Sequence, residues 1–290
     1  MTAVLVTGAT SVPGPFLLRR LQEAGHHVRA VTRGAPRGNE SHTLAWERID
    51  LTTAFQLTPP VPEALVHAAP LWLLPPVLGT LAQSGVRRVV AFSSASRFSK
   101  ERSRSRSERE LARRLSVAES GLAEVAERHN VAWTLFRPTL IYGGGRDRNV
   151  SDVARVARRL GVVLLAGAAG GRRQPVHADD LAQACVRALG SPATHGRCYD
   201  LAGGETLTYR EMALRVSTAV RPGARLVPLP PVALRLLLGI LSLAPGFGHL
   251  AAAMADRMNE DLTVDDSPAR ADIGWAPRAF RYRADEGEAA

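Results

Sequence analysis

The first half of the chain alternates short apolar runs with longer amphipathic stretches. "AVLVT" at residues 3–7 has the continuous, β-branched character of a buried strand. Residues 15–24 then set leucines at 17, 18 and 21 on one helical face, with Gly25 in the helix-terminating position. "HHVRAVTR", "LAWERIDL" and "ALVHAA" read as the second, third and fourth strands. A helix over "LWLLPPVLGTLAQSG", a fifth strand "RRVVAFSS", a long helix from about Glu108 to His129 and a sixth strand "VAWTLFRP" continue the alternation. Strands and helices alternating at this spacing predict an α/β fold with a doubly wound parallel sheet. Past Tyr142 the alternation weakens while glycine and proline multiply. The expected division is a sheet domain over residues 1–145 and 176–200, and a smaller C-terminal lobe over 146–175 and 201–290.

Composition sets bounds on this picture. A chain of 290 residues, 46% hydrophobic and 22% charged, can bury a substantial core. Two cysteines, Cys185 and Cys198, build no disulfide framework, and the first residues lack the pattern of a secretory signal, so the expected compartment is the cytoplasm. The longest apolar run begins at Val232, carries Arg235 and stops at Pro245. That is short of the roughly 20 residues a membrane span requires, so it predicts a core helix, with a helix lying on a membrane surface as the alternative, and no span. The formal charge of +10 raises the question of nucleic acid, but the basic residues are scattered arginines with a single lysine, Lys100. No nucleic-acid partner is expected, and "RSRSRS" at 102–107 reads as a solvated loop.

The candidate chemistry begins with "VLVTGATSVPG" at residues 4–14, where a strand runs into a glycine loop that opens a helix. Gly8 and Gly14 stand where glycines let backbone approach a dinucleotide pyrophosphate, although the same motif also serves as a plain tight strand-to-helix turn. Pro13 has no N–H to offer a phosphate, and the Ser11 hydroxyl is the available replacement. His177, Asp179 and Asp180 in "VHADD" suggest a metal at first sight, but an acid pair opening "DLAQACVRAL" reads better as a helix N-cap. His195 and Cys198 have only Cys185 as a third ligand, so no metal site is expected.

"LVTGATSVPGPFLLRRLQEAGHHVRAVTR", "DL" at 50–51, "LVHAA", "AFSSAS", "FRPTLIYGGGRDR", "QPVHADDLAQA" and "YDLAGGETLTYREM" follow one another in a telling order. It is the order of extended short-chain dehydrogenase/reductases of the nucleotide-sugar epimerase and dehydratase type, and the chain resembles that family over nearly its whole length. The resemblance implies a Rossmann fold in which Gly8, Thr10, Ser11, Val12 and Gly14 hold the pyrophosphate. It further implies that Asp50 and Leu51 meet the adenine, that Ala68 and Ala69 line the cofactor, and that Pro138 and Thr139 border the nicotinamide. NAD-selective members carry a carboxylate at the end of the second strand, whereas this chain has Thr32 and Arg33 with no acid before Glu40. Arg33, with Arg37, therefore points to NADP, with NAD as the alternative.

The family's proton relay is a serine or threonine after the fifth strand and a tyrosine four residues before a lysine on the next helix. Ser94 matches the serine, but Leu111 and Leu115 stand at the other two positions. No tyrosine precedes Tyr142, which with Ser94 makes up the candidate catalytic set. Ser96 and Lys100 share the tyrosine–lysine spacing, yet a serine hydroxyl is a far weaker acid than a phenol. The resemblance implies an oxidoreductase or epimerase/dehydratase-type enzyme acting on a small polar or nucleotide-linked substrate between the lobes. A dinucleotide-sensing regulator or assembly module without catalysis is the alternative. The helix bearing Leu111 lies at dimer interfaces in such proteins, which implies a homodimer.

Overall fold

A computed structural model of the chain describes residues 3–34, 41–53, 55–103, 105–147, 149–241 and 253–283. The strands in chain order are β1 (Ala3–Thr7), β2 (His27–Thr32), β3 (Leu44–Arg48), β4 (Ala64–His67), β5 (Arg88–Phe92), β6 (Ala132–Pro138), β7 (Ile141–Tyr142), β8 (Val162–Ala166), β9 (Arg172–Arg173), β10 (Val176–His177), β11 (Arg197–Leu201), β12 (Leu207–Thr208) and β13 (Arg225–Leu229). The helices are α1 (Gly14–Glu23), α2 (Pro75–Gln83), α3 (Ser96–Glu101), α4 (Arg106–Arg128), α5 (Val150–Leu160), α6 (Ala178–Leu189), α7 (Tyr209–Val220), α8 (Pro231–Leu241), α9 (Ala253–Arg257) and α10 (Ser267–Ile273).

Seven strands pair in parallel in the order β11-β6-β5-β4-β1-β2-β3. The chain leaves β1 toward β2 and β3, then returns to β4 on the other side of β1. This reversal opens a crevice at the carboxyl ends of β1 and β4, the place where doubly wound sheets take ligands. The two-residue period of each strand feeds two cores. Val4 and Val6 face Leu17 and Leu21 of α1 and Leu181 of α6, while Leu5 faces Leu78 of α2 and Leu115 and Leu122 of α4. A third core gathers Tyr142, Val153, Leu165, Met212, Val216, Leu234 and Phe280 around the β8–β13 pair.

Several elements differ from the sequence expectation for physical reasons. The helix expected over residues 71–85 splits into a 3₁₀ turn at Leu71–Leu73 and α2, because Pro75 and Pro76 lack the N–H that would carry the helix through but suit a helix start. The third strand ends at Arg48 rather than Leu51, since Asp50 folds back to accept hydrogen bonds from Thr52. The "RSRSRS" tract is not a free loop: it ends one helix and begins another, with Ser105 at the N-cap of α4 and Ser103 donating to Glu108 at 2.6 Å.

The apolar run from Val232 forms α8 but is not fully core. Leu234 is buried, whereas Val232, Leu236 and Ile240 are 63%, 65% and 67% exposed. Among the described residues no helix is long and apolar enough to cross a membrane. Part of the stretch assigned to the C-terminal lobe returns to the sheet, where Ala269, Ile273 and Trp275 pack in the first core. Arg37 and Glu40 lie outside the described residues.

Candidate functional site

The glycine loop occupies the crevice between β1 and β4. Gly8 takes φ +74°, and a Cβ there would lie 2.3 Å from the Ala69 amide nitrogen. A Cβ on Gly14 would lie 2.1 Å from the Ala9 carbonyl oxygen. Both glycines are thus required for the turn and for seating α1 against the strand. Between them the Ser11 amide donates to Gly8 and the Gly14 amide to Ser11, at 2.9 and 3.0 Å.

The start of α1 is poor in donors. Pro13 is its N-cap and Pro15 follows within the first turn, so two positions at this helix end carry no N–H. Among the described residues the Val12 and Phe16 amides have no backbone partner, and the buried Ser11 hydroxyl has no hydrogen-bond partner. What the loop can offer an anion is therefore those two amides, the Ser11 hydroxyl and the helix dipole.

Arg33 is exposed just past β2, and its backbone carbonyl accepts from Arg48 Nε at 3.2 Å. The β2–β3 ladder pairs Thr32 with Arg48, so two arginines meet at this end of the sheet. Asp50 stands nearby, held below the ordinary carboxylate range first by the Thr52 hydrogen bonds and also by the Arg33 charge. Ala68 and Ala69 follow β4 as a partly buried wall beside Gly8, and Leu51 packs on the second core.

A cavity of about 820 Å³ opens from this loop toward the C-terminal part of the chain. Val12, Ser94, Ser96, Lys100, Thr139 and Arg173 are among the residues that line it. Ser94 and Ser96 bring their hydroxyls within 2.8 Å of each other. Pro138 is buried at the end of β6, and the next residue, Thr139, donates its amide to Leu201 at 3.0 Å and its hydroxyl to Gln174. A second cavity of about 630 Å³ shares Ser99, Lys100, Arg257, Asp261 and Leu262 with the first, and Arg102 and Arg235 line its far side.

Tyr142 is not brought to this cavity, which corrects its place in the candidate catalytic set. It is 1% exposed, its ring packs edge-on to His177 and Phe280 at 5.0 and 4.8 Å, and its hydroxyl accepts from the Arg281 amide at 3.5 Å. The ladder of β7 with β10 sets Tyr142 opposite His177 and turns the ring into the third core. Leu111 and Leu115 pack on the second core from α4, so that helix face is apolar and filled.

One carboxylate missed by the sequence reading ties the cavity walls together. Glu119 is 7% exposed on α4 and accepts from the Ser93 hydroxyl at 2.5 Å, from Arg97 at 2.5 Å and from Arg137 at 2.7 Å. Ser93 and Arg97 flank Ser94 and Ser96, while Arg137 precedes Pro138 and Thr139. The available signal was an acid on the same helical stripe as Leu111, Leu115 and Leu122.

The acid pair of "VHADD" also has a different role. His177 itself caps α6, its Nδ1 accepting from the Asp179 amide at 3.1 Å. Asp179 accepts from Arg20 at 2.6 and 2.8 Å, from Arg19 at 2.8 Å and from Arg278 at 2.7 Å, locking α1 to α6 and to the C-terminal segment. Burial pulls its carboxyl upward, but the three guanidinium groups outweigh this and hold it well below the usual range. Among the described residues no group of three histidines, cysteines or carboxylates is placed to hold a metal ion.

Known proteins resemble this chain across its length. The chain is 23% identical over 309 aligned residues to UDP-glucose 4-epimerase from Vibrio cholerae, covering 95% of this chain and 90% of that protein. The structure of the Thermus thermophilus UDP-glucose 4-epimerase in complex with NAD superposes with a TM-score of 0.72 at 22% identity, covering 99% of both chains. The terminal R domain of the myxalamid PKS-NRPS biosynthetic pathway superposes equally well, with a TM-score of 0.73 at 18% identity over 97% of this chain and 87% of that one. The family profile described as NAD dependent epimerase/dehydratase matches residues 4–71 and 75–202, which places the chain in that family.

Proposed function

We propose that the chain is an NADP-dependent enzyme that oxidises and reduces a hydroxyl-bearing carbon of a nucleotide-linked sugar or a similarly polar small molecule. The observation that carries this reading is the cavity of about 820 Å³ running from Val12 past Ser94 and Thr139 to Lys100 and Arg173. It is open, and Lys100, Arg146, Arg173 and Arg257 line it against Asp147 and Asp261, which suits an anionic ligand. The relatives named UDP-glucose 4-epimerase, and the NAD in the Thermus structure, support both the ligand class and the kind of cofactor.

The residues fit a dinucleotide, with a reduced donor set. Gly8 and Gly14 keep the loop close to the strands, and the buried, partnerless Ser11 hydroxyl is the group available where Pro13 supplies no amide. Arg33 and Arg48 would take the 2′-phosphate, which favours NADP over NAD. Asp50 and Leu51 would border the adenine, Ala68 and Ala69 the ribose and pyrophosphate, and Pro138 and Thr139 the nicotinamide. When bound, the dinucleotide supplies hydride transfer at its nicotinamide. Ser94 would hydrogen-bond the reacting hydroxyl, and the cationic wall would hold the phosphates of the substrate. The filled face at Leu111 and Leu115 is what a non-catalytic dinucleotide sensor would also carry, whereas an open cavity lined by Ser94, Ser96, Thr139 and Lys100 favours the enzyme.

Fluorescence titration of the purified chain with NADPH and NADH, alongside Arg33→Ala, tests the reading. Micromolar NADPH binding that weakens about tenfold in the variant while NADH binding holds is the expected result. Absence of binding by either cofactor at millimolar concentration overturns it. UDP-glucose, followed by nicotinamide absorbance, is the first substrate probe.

A further inference from the structure

We propose that Ser94, Ser96 and Lys100 form a proton path from the substrate cavity that ends on the Lys100 amine. This inference rests on the oxidoreductase reading above and assigns the proton step that the packed Leu111–Leu115 face of α4 cannot perform.

Geometry supports it first. Ser96 opens α3 and Lys100 lies four residues on, so both side chains leave the same face of one short helix. Ser94 Oγ is 2.8 Å from Ser96 Oγ and accepts from the Ser96 amide at 3.2 Å, which holds the two hydroxyls in register. All three residues line the same cavity, and Lys100 also lines the second, so this residue stands where the two cavities meet.

The electrostatic surroundings are those of a proton acceptor. Lys100 is half-buried, and among the described residues no carboxylate lies within salt-bridge distance of it. The nearby acids are engaged elsewhere: Glu108 on α4 pairs with Arg257 at 3.2 Å and accepts from Ser103, Asp256 pairs with Arg235, and Asp261 pairs with Arg172 at 2.9 Å. Burial first, and then the Arg257 charge, push the Lys100 amine below its ordinary range, against a smaller pull from Glu108. Arginine could not serve in its place, because a guanidinium stays protonated in proteins.

The step balances as an alcohol oxidation. The carbinol C–H bond breaks and its hydride passes to the oxidised nicotinamide dinucleotide, while the C–O single bond becomes a carbonyl. The hydroxyl proton moves to Ser94, the Ser94 proton to Ser96, and the Ser96 proton, through water in the cavity that both residues line, to the Lys100 nitrogen lone pair. Reduction runs the same path backward, with Lys100 as the proton source.

The single lysine makes the test direct. Reductive methylation with isotope-labelled formaldehyde labels Lys100 and the α-amine, and Lys100→Arg identifies the lysine resonance by its loss. A midpoint below that of an ordinary lysine, moving on addition of NADP⁺ with UDP-glucose, is expected. Lys100→Met and Ser96→Ala should each lower turnover about a hundredfold with KM and NADPH affinity unchanged, and the pH profile of wild-type turnover should follow the Lys100 midpoint. An ordinary lysine midpoint, or full turnover by Lys100→Met, overturns the path while leaving the cofactor reading in place. A chain that binds no NADPH overturns the cofactor reading, and the path falls with it, because no hydride acceptor then stands at the cavity.

Discussion

Thr7 Oγ1 and His67 Nδ1 lie 2.7 Å apart, joining the carboxyl ends of β1 and β4 directly beneath the glycine loop. The other ring nitrogen of His67 lies 3.3 Å from the Pro70 carbonyl, which can only accept. His67 is therefore the neutral Nε2–H tautomer, with Nδ1 accepting from the Thr7 hydroxyl. The floor of the crevice is held by an uncharged imidazole, and that has a consequence for stability.

Burial lowers the His67 pKa from 6.5 to about 4, against a smaller opposing pull from the Pro70 carbonyl. Below pH 6.5 the unfolded chain takes up a proton that the folded chain refuses until near pH 4. Stability is thus fully present above pH 6.5 and declines as pH falls toward 4, by about 3 kcal/mol at most from this group. Denaturant melts at several pH values check this: His67→Gln should flatten the profile between those limits. An unchanged slope would contradict the neutral assignment.

Gly8→Ala sets a methyl group against backbone that cannot move aside. The added Cβ would lie 2.3 Å from Ala69 N at a φ of +74°, and together the overlap and the left-handed conformation cost about 3 kcal/mol or more. Chemical denaturation should show that loss. Gly25→Ala is the control, since a Cβ there meets no atom within 4 Å and only its φ of +80° is strained.

Glu119 holds two arginines that are only 23% and 16% exposed, one on α3 and one on β6. Glu119→Gln removes the charge from a carboxylate that receives three side chains and is expected to cost about 3 kcal/mol, as breaking a buried ion pair does. The released Arg97 and Arg137 flank Ser94 and Thr139, so turnover should fall together with stability. A variant as stable as the parent would show that the ion pairs contribute nothing net.

Six of the seven sheet strands were legible because their signals are local runs of apolar residues, and α1 and α4 each show one apolar stripe ending at a recognisable stop. The seventh, β11, has the sequence RCYDL and was not read as a strand. Features that depend on distant pairing were not legible. Arg48 reaches the end of β2 only through the β2–β3 register, and nothing in "LAWER" announces it. Tyr142 turns inward because β7 pairs with β10 and sets it against His177, residues 35 positions apart. The cap at α6 misled for a related reason. Aspartate is a common N-cap, but here three arginines from α1 and residue 278 claim the Asp179 carboxylate, leaving the cap to His177. Lys100 was visible as the lone lysine, but its place between two cavities follows from α3, a helix of six residues with little periodicity of its own.

Pro13 stands at the N-cap of α1 with φ −76° and ψ −13°, a conformation open to any residue. Pro13→Ile would restore one amide at the mouth of a helix whose next turn contains a second proline. A charge-assisted hydrogen bond contributes about 1.5 to 3 kcal/mol, so NADPH affinity should tighten at least tenfold if that amide meets the pyrophosphate. The folded state should lose no more than about 1 kcal/mol, the effect of freeing the unfolded chain from proline. Parallel titrations of Pro13→Ile and Ser11→Ala with NADPH separate two roles for the loop. A gain from Pro13→Ile with a loss from Ser11→Ala would mean that the serine hydroxyl stands in for the missing amide. If neither variant changes affinity, phosphate does not meet this helix end, and the glycines serve only the packing of α1 on the sheet.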